Sequence, residues 1–213
     1  GLSAEIMDSL KPHLQLAETL GLLLSQISGG TMNKLEVRLQ GEFSQHPSQP
    51  LVIATLKGVL SNALGDKINY VNASLEAEAR GIVVTEIQDD SSPDISGGSL
   101  QLTSVSAKSS HSVTGTIFAD GDLCITNLDD FPINVSPSRH MLFTQHRDMP
   151  GIIGKLGSLL GTHNVNIASM QVGRRIVRGE AVMVLSIDDP IPSELLDSIL
   201  NIKGINSANA VTL

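Results

Sequence analysis

The stretch His146-Arg147-Asp148-Met149-Pro150-Gly151, with Val165-Asn166-Ile167 downstream, holds the residues of this 213-residue chain whose types and spacing could do chemistry together. Met141 to Thr144 before it reads as a strand, and Pro150 to about His163 after it reads as a helix. Proline suits a first helical position, because its fixed φ matches the helix and its missing N–H would have no partner there. Asp148 stands where a cap or an early acidic group is favoured. A strand therefore ends in a tight loop aimed at a helix N-terminus, whose free N–H groups around Gly151 and Ile152 attract a carboxylate or phosphate. An imidazole and an aspartate stand beside that anion seat. Donors for an anion next to a carboxylate for a cation suit a zwitterion, and so an amino acid. Asn166 adds both a donor and an acceptor.

The elements that must position these residues follow from periodicity. Residues 139–146 predict a strand, 150–163 a helix, 165–173 and 180–187 strands, 193–201 a helix, and 205–213 a strand. The order βαββαβ is the split-βαβ, ferredoxin-like unit, a four-stranded antiparallel sheet with both helices on one face. Its other face and its edges need covering, which in small domains commonly means pairing with a second copy. Upstream, Ser3 can cap a short helix and Pro12 opens a longer one over about Lys11 to Ser28, closed by Gly29-Gly30. A strand at 35–40, a loop at 41–49, a helix from Ser48 to Gly65, a helix at 73–80 and a strand at 82–87 follow. Asp89 to Gly98 is loop by composition. From Ser99 the chain turns to antiparallel strands, with Asp120-Gly121 a strong hairpin signal. The fold class is α+β: a mixed α/β unit over 1–135, a boundary in Pro132 to Pro137, and the βαββαβ unit over 139–213.

Charge and composition exclude several classes. The net charge of −8 is uneven, with −9 over residues 1–138 and +1 over 139–213. One Tyr, no Trp and no clustered Lys/Arg beyond Arg174-Arg175-Ile176-Val177-Arg178 argue against nucleic acid, which needs phosphate contacts and stacking aromatics. That basic cluster reads as the solvated tip of a hairpin. No apolar run approaches a membrane span. A single cysteine, Cys124, cannot build a disulfide framework, a Cys-rich zinc site or an iron–sulfur cluster, and a reducing compartment follows. No metal ligand set and no spacing of nucleophile, base and orienter is visible. The chain starts with Gly1, which reads as a processed product or a fragment.

The residues 146–155, then Val165-Asn166-Ile167-Ala168 and the apolar strand 181–187, resemble an ACT domain, a small amino-acid-sensing module of biosynthetic enzymes. With Leu10-Lys11-Pro12, Ala17-Glu18 and Val71-Asn72-Ala73…Ala79-Arg80-Gly81-Ile82, the whole chain resembles the C-terminal regulatory half of the long type of D-3-phosphoglycerate dehydrogenase, in which an allosteric substrate binding (intervening) domain precedes the ACT domain. The resemblance implies a parent that oxidises 3-phosphoglycerate with NAD in the first step of serine synthesis. Its catalytic residues and dinucleotide loop lie in upstream domains, so this chain alone is expected to be inactive and to hold no cofactor. The glycines at 151, 154, 157 and 161 fall inside a helix, where they permit close packing, and do not form a phosphate loop.

The resemblance also implies L-serine as effector between two ACT domains, His146 and Asp148 lining the loop of one subunit and Asn166 facing the ligand from the other. It implies a cytoplasmic location, or the plastid stroma in a plant. Two departures stand out. Some relatives have Asn where Asp148 stands, and where some relatives bind a phosphorylated effector through basic residues this chain is acidic, Asn127-Leu128-Asp129-Asp130-Phe131. Competing expectations are an oligomerisation module with no effector, and the regulatory part of a serine dehydratase, whose cluster one cysteine cannot hold.

Overall fold

The computed structural model describes residues 4–89 and 97–213, with side chains from Ser9 onward, so most of the loop expected at 89–98 lies outside the described residues. Two compact units meet in sequence between Asp129 and Asp130.

The first unit opens with α1 (Ala4–Ile27), which runs unbroken through Pro12 where the sequence suggested two helices. The proline removes one hydrogen bond of the ladder, while Leu16, Leu20, Leu23 and Leu24 beyond it are fully buried. The apolar face of this helix is core. Then come β1 (Lys34–Gln40), a 3₁₀ turn at Gly41–Gln45 in the stretch expected as loop, α2 (Ser48–Leu64), α3 (Ala73–Ala79) and β2 (Val83–Asp89). β1 and β2 are parallel, and α2 supplies the crossover that a parallel pair requires. β3 (Ser99–Val105), β4 (Ser110–Ile117) and β5 (Leu123–Leu128) continue the sheet antiparallel, in the order β2-β1-β3-β4-β5. Leu35, Val37 and Leu39 face inward from β1, as their alternation requires. The hairpin at Asp120-Gly121 forms as expected, with Gly121 at φ 90° and its N–H on the Phe118 carbonyl.

α1 and α2 approach at backbone distance. A Cβ on Gly21 would lie 3.1 Å from the Val59 nitrogen and closer still to the Thr55 carbonyl oxygen, and one on Gly58 would lie 2.9 Å from the Leu22 nitrogen. Below them, Leu16 and Leu20 sit on Gly115 of β4, 3.0 and 2.9 Å from where its Cβ would be. Glu18 joins the two helices to the loop before α3. Its carboxylate pairs with Lys57 and accepts from the Tyr70 hydroxyl at 2.7 Å, while the Lys57 ammonium lies over the Tyr70 ring.

The second unit contains β6 (Phe131–Val135), β7 (His140–Arg147), α4 (Ile152–Thr162), β8 (Ile167–Arg174), β9 (Glu180–Ile187), α5 (Ser193–Leu200) and β10 (Ile205–Thr212). From β7 onward the order is βαββαβ, and the antiparallel sheet runs β10-β7-β9-β8. Leu142, Met183 and Leu185 of the sheet meet Leu156, Leu160, Leu195 and Ile199 of the two helices in one core. β6 packs on β8: a Cβ on Gly173 would lie 2.8 Å from Ile133 Cγ2, and the Gln171 side chain accepts from the Asn134 N–H at 2.6 Å. Part of the sheet face that seemed to await a second copy is thus covered from within.

Candidate functional site

His146 is on β7, opposite Ala181 of β9 and Ile205 of β10. It is 1% exposed, and its Nδ1 has no hydrogen-bond partner. Burial pushes the imidazole below its ordinary value, against the pull of the Asp148 and Glu180 charges, so the ring is neutral near pH 7. The buried ring thus keeps one nitrogen unused.

Asp148 follows in the loop, and here the structure departs from expectation. Its side chain caps no helix: α4 starts at Ile152, its N-cap is Gly151 at φ 87°, and Pro150 lies before the first turn rather than in it. A left-handed N-cap is a conformation glycine adopts without strain. The Asp148 carboxylate turns instead to the β8–β9 hairpin. Its Oδ2 accepts from Arg174 Nη1 at 2.8 Å and from the Arg178 N–H at 3.1 Å, and the Asp148 N–H donates to the Gly179 carbonyl at 2.8 Å. The Arg174 hydrogen bond first, then the Arg178 N–H, holds this carboxyl below its usual range. The basic tip is therefore less free than a solvated turn. Arg174 is on Asp148, and Arg175 binds both the Asp130 carboxylate, at 2.9 Å, and its carbonyl while lying over Phe131. Sequence reasoning missed Arg174 and Arg178. The βαββ order brings the end of the second strand back near the loop after the first, but the pairing itself depends on the turn of the β8–β9 hairpin.

Asn166 precedes β8, and its amide donates to Asp188 at 2.7 Å. Arg174, which holds Asp148, ends the same strand. Eight extended residues separate the two ends by roughly 23 Å at about 3.3 Å per residue. The structure thus brings His146, Asp148, Gly151 and Ile152 together in one chain and leaves Asn166 at the far end. β8 is the outer strand of its sheet, with Ala168, Ser169 and Met170 exposed. Gly154, Gly157 and Gly161 of α4 face open space, so they serve no packing within the described residues. Among the described residues no cluster of three His, Cys, Asp or Glu could hold a metal.

Residues 9–129 match the family model of the D-3-phosphoglycerate dehydrogenase intervening domain. The chain belongs to that family. Residues 140–204 match the ACT domain model, so the loop of His146 and Asp148 is the first strand-to-helix loop of an ACT domain. The intervening-domain match ends at Asp129, the last residue of the first unit. The chain is 55% identical over 214 residues to a D-3-phosphoglycerate dehydrogenase of Synechocystis, covering 100% of this chain and 38% of the relative. It is 34% identical to one from Methanocaldococcus jannaschii, covering 98% of this chain and 39% of the relative. A chloroplastic D-3-phosphoglycerate dehydrogenase 2 of Arabidopsis thaliana is 27% identical, covering 96% and 35% respectively. The chain spans under two fifths of the length of these relatives and corresponds to their C-terminal regulatory half. Among the described residues no helix is long and apolar enough to cross a membrane.

Proposed function

We propose that this chain is the regulatory and oligomerising region of an NAD-dependent D-3-phosphoglycerate dehydrogenase, and that two of its ACT domains bind L-serine between them as a feedback effector. The observation that carries the reading is the separation of Asn166 from Asp148 along the outer strand β8. No small amino acid spans one strand's length, so the two ends serve one ligand only when two chains combine them. Two copies with their β8 strands antiparallel about a two-fold axis set Asn166 of one beside Asp148 of the other, twice over. The unpaired edge of β8, the exposed Met170 and the open glycine row of α4 support such a pairing.

In this reading His146 and Asp148 line the loop, Asp148 holds the ammonium, the N–H groups at Gly151 and Ile152 or a nearby cation hold the carboxylate, and Asn166 closes the site from the other copy. Serine shifts the arrangement of the subunits only by its differential affinity for the two arrangements, with couplings of about 1–3 kcal/mol typical. Upstream domains of the parent carry the catalysis and the nucleotide. The glycines Gly154, Gly157 and Gly161 lie within α4 rather than in a strand-to-helix phosphate loop and give this region no role there. The cytoplasm, or the stroma in a plant, is the compartment that fits.

A second reading, pairing without an effector, draws on the internal partners that Asp148 and Asn166 already have. Thermal unfolding with L-serine, D-serine, glycine and L-alanine separates the two. Ligand at about 100 times its dissociation constant stabilises by about 2.7 kcal/mol, roughly 5–10 °C for a chain of this size. A shift with L-serine and none with D-serine is expected. A dimer that shifts with none of the four rejects the effector reading.

A further inference from the structure

Asp148, the group assigned to the ammonium, already holds a cation. Arg174 Nη1 donates to its Oδ2 at 2.8 Å, yet half of the Arg174 side chain is exposed. An ion pair this open to water contributes little and opens at little cost. The carboxylate does not depend on it for position, since the Arg178 N–H and the Asp148–Gly179 backbone bond fix the loop independently. Arg178 makes this contact from a left-handed backbone, φ 63°, which aims its N–H at the loop.

The other charges nearby are committed or differently placed. Glu180 accepts from Asn206 at 2.7 Å, and Arg175 is on Asp130. His146 is buried. Arg174 is thus a guanidinium at the site whose one anionic partner among the described residues is the group the effector needs.

We propose that Arg174 determines specificity by ion-pair exchange: the entering amino acid inserts between Asp148 and Arg174, its ammonium taking the carboxylate and its carboxylate taking the guanidinium. This rests on the effector reading above. One ion pair becomes two and no charge is left alone. A bare amine would displace Arg174 and leave it unpaired. A bare carboxylate would do the same to Asp148. The resident pair therefore selects for a ligand carrying both charges on one carbon, whatever its side chain. The geometry also explains why a carboxylate stands at 148: an amide there would give Arg174 no charge to hold.

Titration calorimetry of the full chain with L-serine, L-serinamide and ethanolamine tests this, with Arg174→Gln and Arg174→Lys as variants of unchanged unfolding temperature. The wild type is expected to bind L-serine at least tenfold more tightly than serinamide or ethanolamine, which keep the ammonium but lack the carboxylate. Arg174→Gln loses at least tenfold for L-serine and little for ethanolamine, so the ratio collapses, and Arg174→Lys falls between. Undiminished L-serine binding by Arg174→Gln overturns the exchange, gives the carboxylate to the backbone N–H groups of the loop, and leaves the effector reading standing. Wild type that binds serinamide as tightly as L-serine overturns it without any variant. Absence of L-serine binding to the wild-type dimer overturns both.

Discussion

Gly58 of α2 stands against the carbonyl oxygen of Glu18 on α1 with no room between them for a methyl group. The clash is with backbone, so no rotamer change relieves it, and the two helices must part. Gly58→Ala is expected to lower the stability of the intervening domain by about 1–3 kcal/mol, as overpacking of a tight contact does. Gly154→Ala, on α4 where a Cβ meets nothing, is expected to be neutral or to raise helix stability by about 0.5–1 kcal/mol. Urea unfolding of both variants checks the contrast, and equal effects would mean that the two helices do not meet this closely.

Tyr70 is the one tyrosine of a chain without tryptophan, so tyrosinate absorbance reports on a single residue. Burial, and then the hydrogen bond to the Glu18 carboxylate, push its hydroxyl up to about 12. A spectrophotometric titration should show a midpoint near that value in the folded chain and near 10 in denaturant. Because the folded value is the higher one, this contact stabilises fully below the unfolded pKa and is lost as pH rises toward the folded one. A folded midpoint at the ordinary value would break the link between Glu18 and the loop before α3.

His111 and Asp129 give a pH dependence of the same sign in a nearer range. Nδ1 of His111 lies 2.9 Å from Asp129 Oδ2, and this hydrogen bond raises the imidazole above its ordinary 6.5. Its stabilisation is complete below that value and fades as pH rises through the folded one. The intervening domain of the wild type should therefore lose more stability between about pH 5.5 and 8.5 than that of Asp129→Asn. His146 carries the opposite sign: buried and depressed, it favours the folded ACT domain above its ordinary pKa and ceases to as pH falls. Melting each domain across this range, with His111→Asn and Asp129→Asn as comparisons, tests the pair. Parallel curves for wild type and Asp129→Asn would remove the first of these.

If Asp148 and Asn166 of different chains complete one site, neither Asp148→Asn nor Asn166→Ala alone binds L-serine well, but a mixture does. A heterodimer of the two carries one site with both changes and one with neither. Unfolding and refolding the variants together at equal amounts should restore about a quarter of the sites, since half of the dimers are mixed. Calorimetry on the mixture gives the stoichiometry. Restoration of none would place both residues in the same half-site or outside it.

The ACT domain was legible almost element by element, because its strands alternate, its helices have clear stops and β9 is apolar on both faces. Less was legible where tertiary contacts outweigh local preference. Pro12 suggested a boundary that packing of the helix beyond it overrides. Gly21 and Gly58 look like weak points in apolar rows and are contact points between backbones. At the candidate site the sequence reading assumed that the groups of the loop were waiting for a ligand. It could not show that Asp148 reaches across to Arg174 and Arg178, since that pairing depends on the turn of a hairpin 26 residues away. Nor could it show that Ile133 of β6 packs against Gly173 of β8.

The order β10-β7-β9-β8 also has a consequence for how the protein is made. β7 is the first strand of its sheet to leave the ribosome, and it pairs with β9 and β10 but not with β8, the next strand synthesised. Its outer edge stays open until Ile205–Thr212 has emerged. Throughout that interval the nascent chain offers an unpaired apolar edge to any neighbouring copy, so premature release upstream of β10 would yield a species prone to sticking rather than a smaller folded domain.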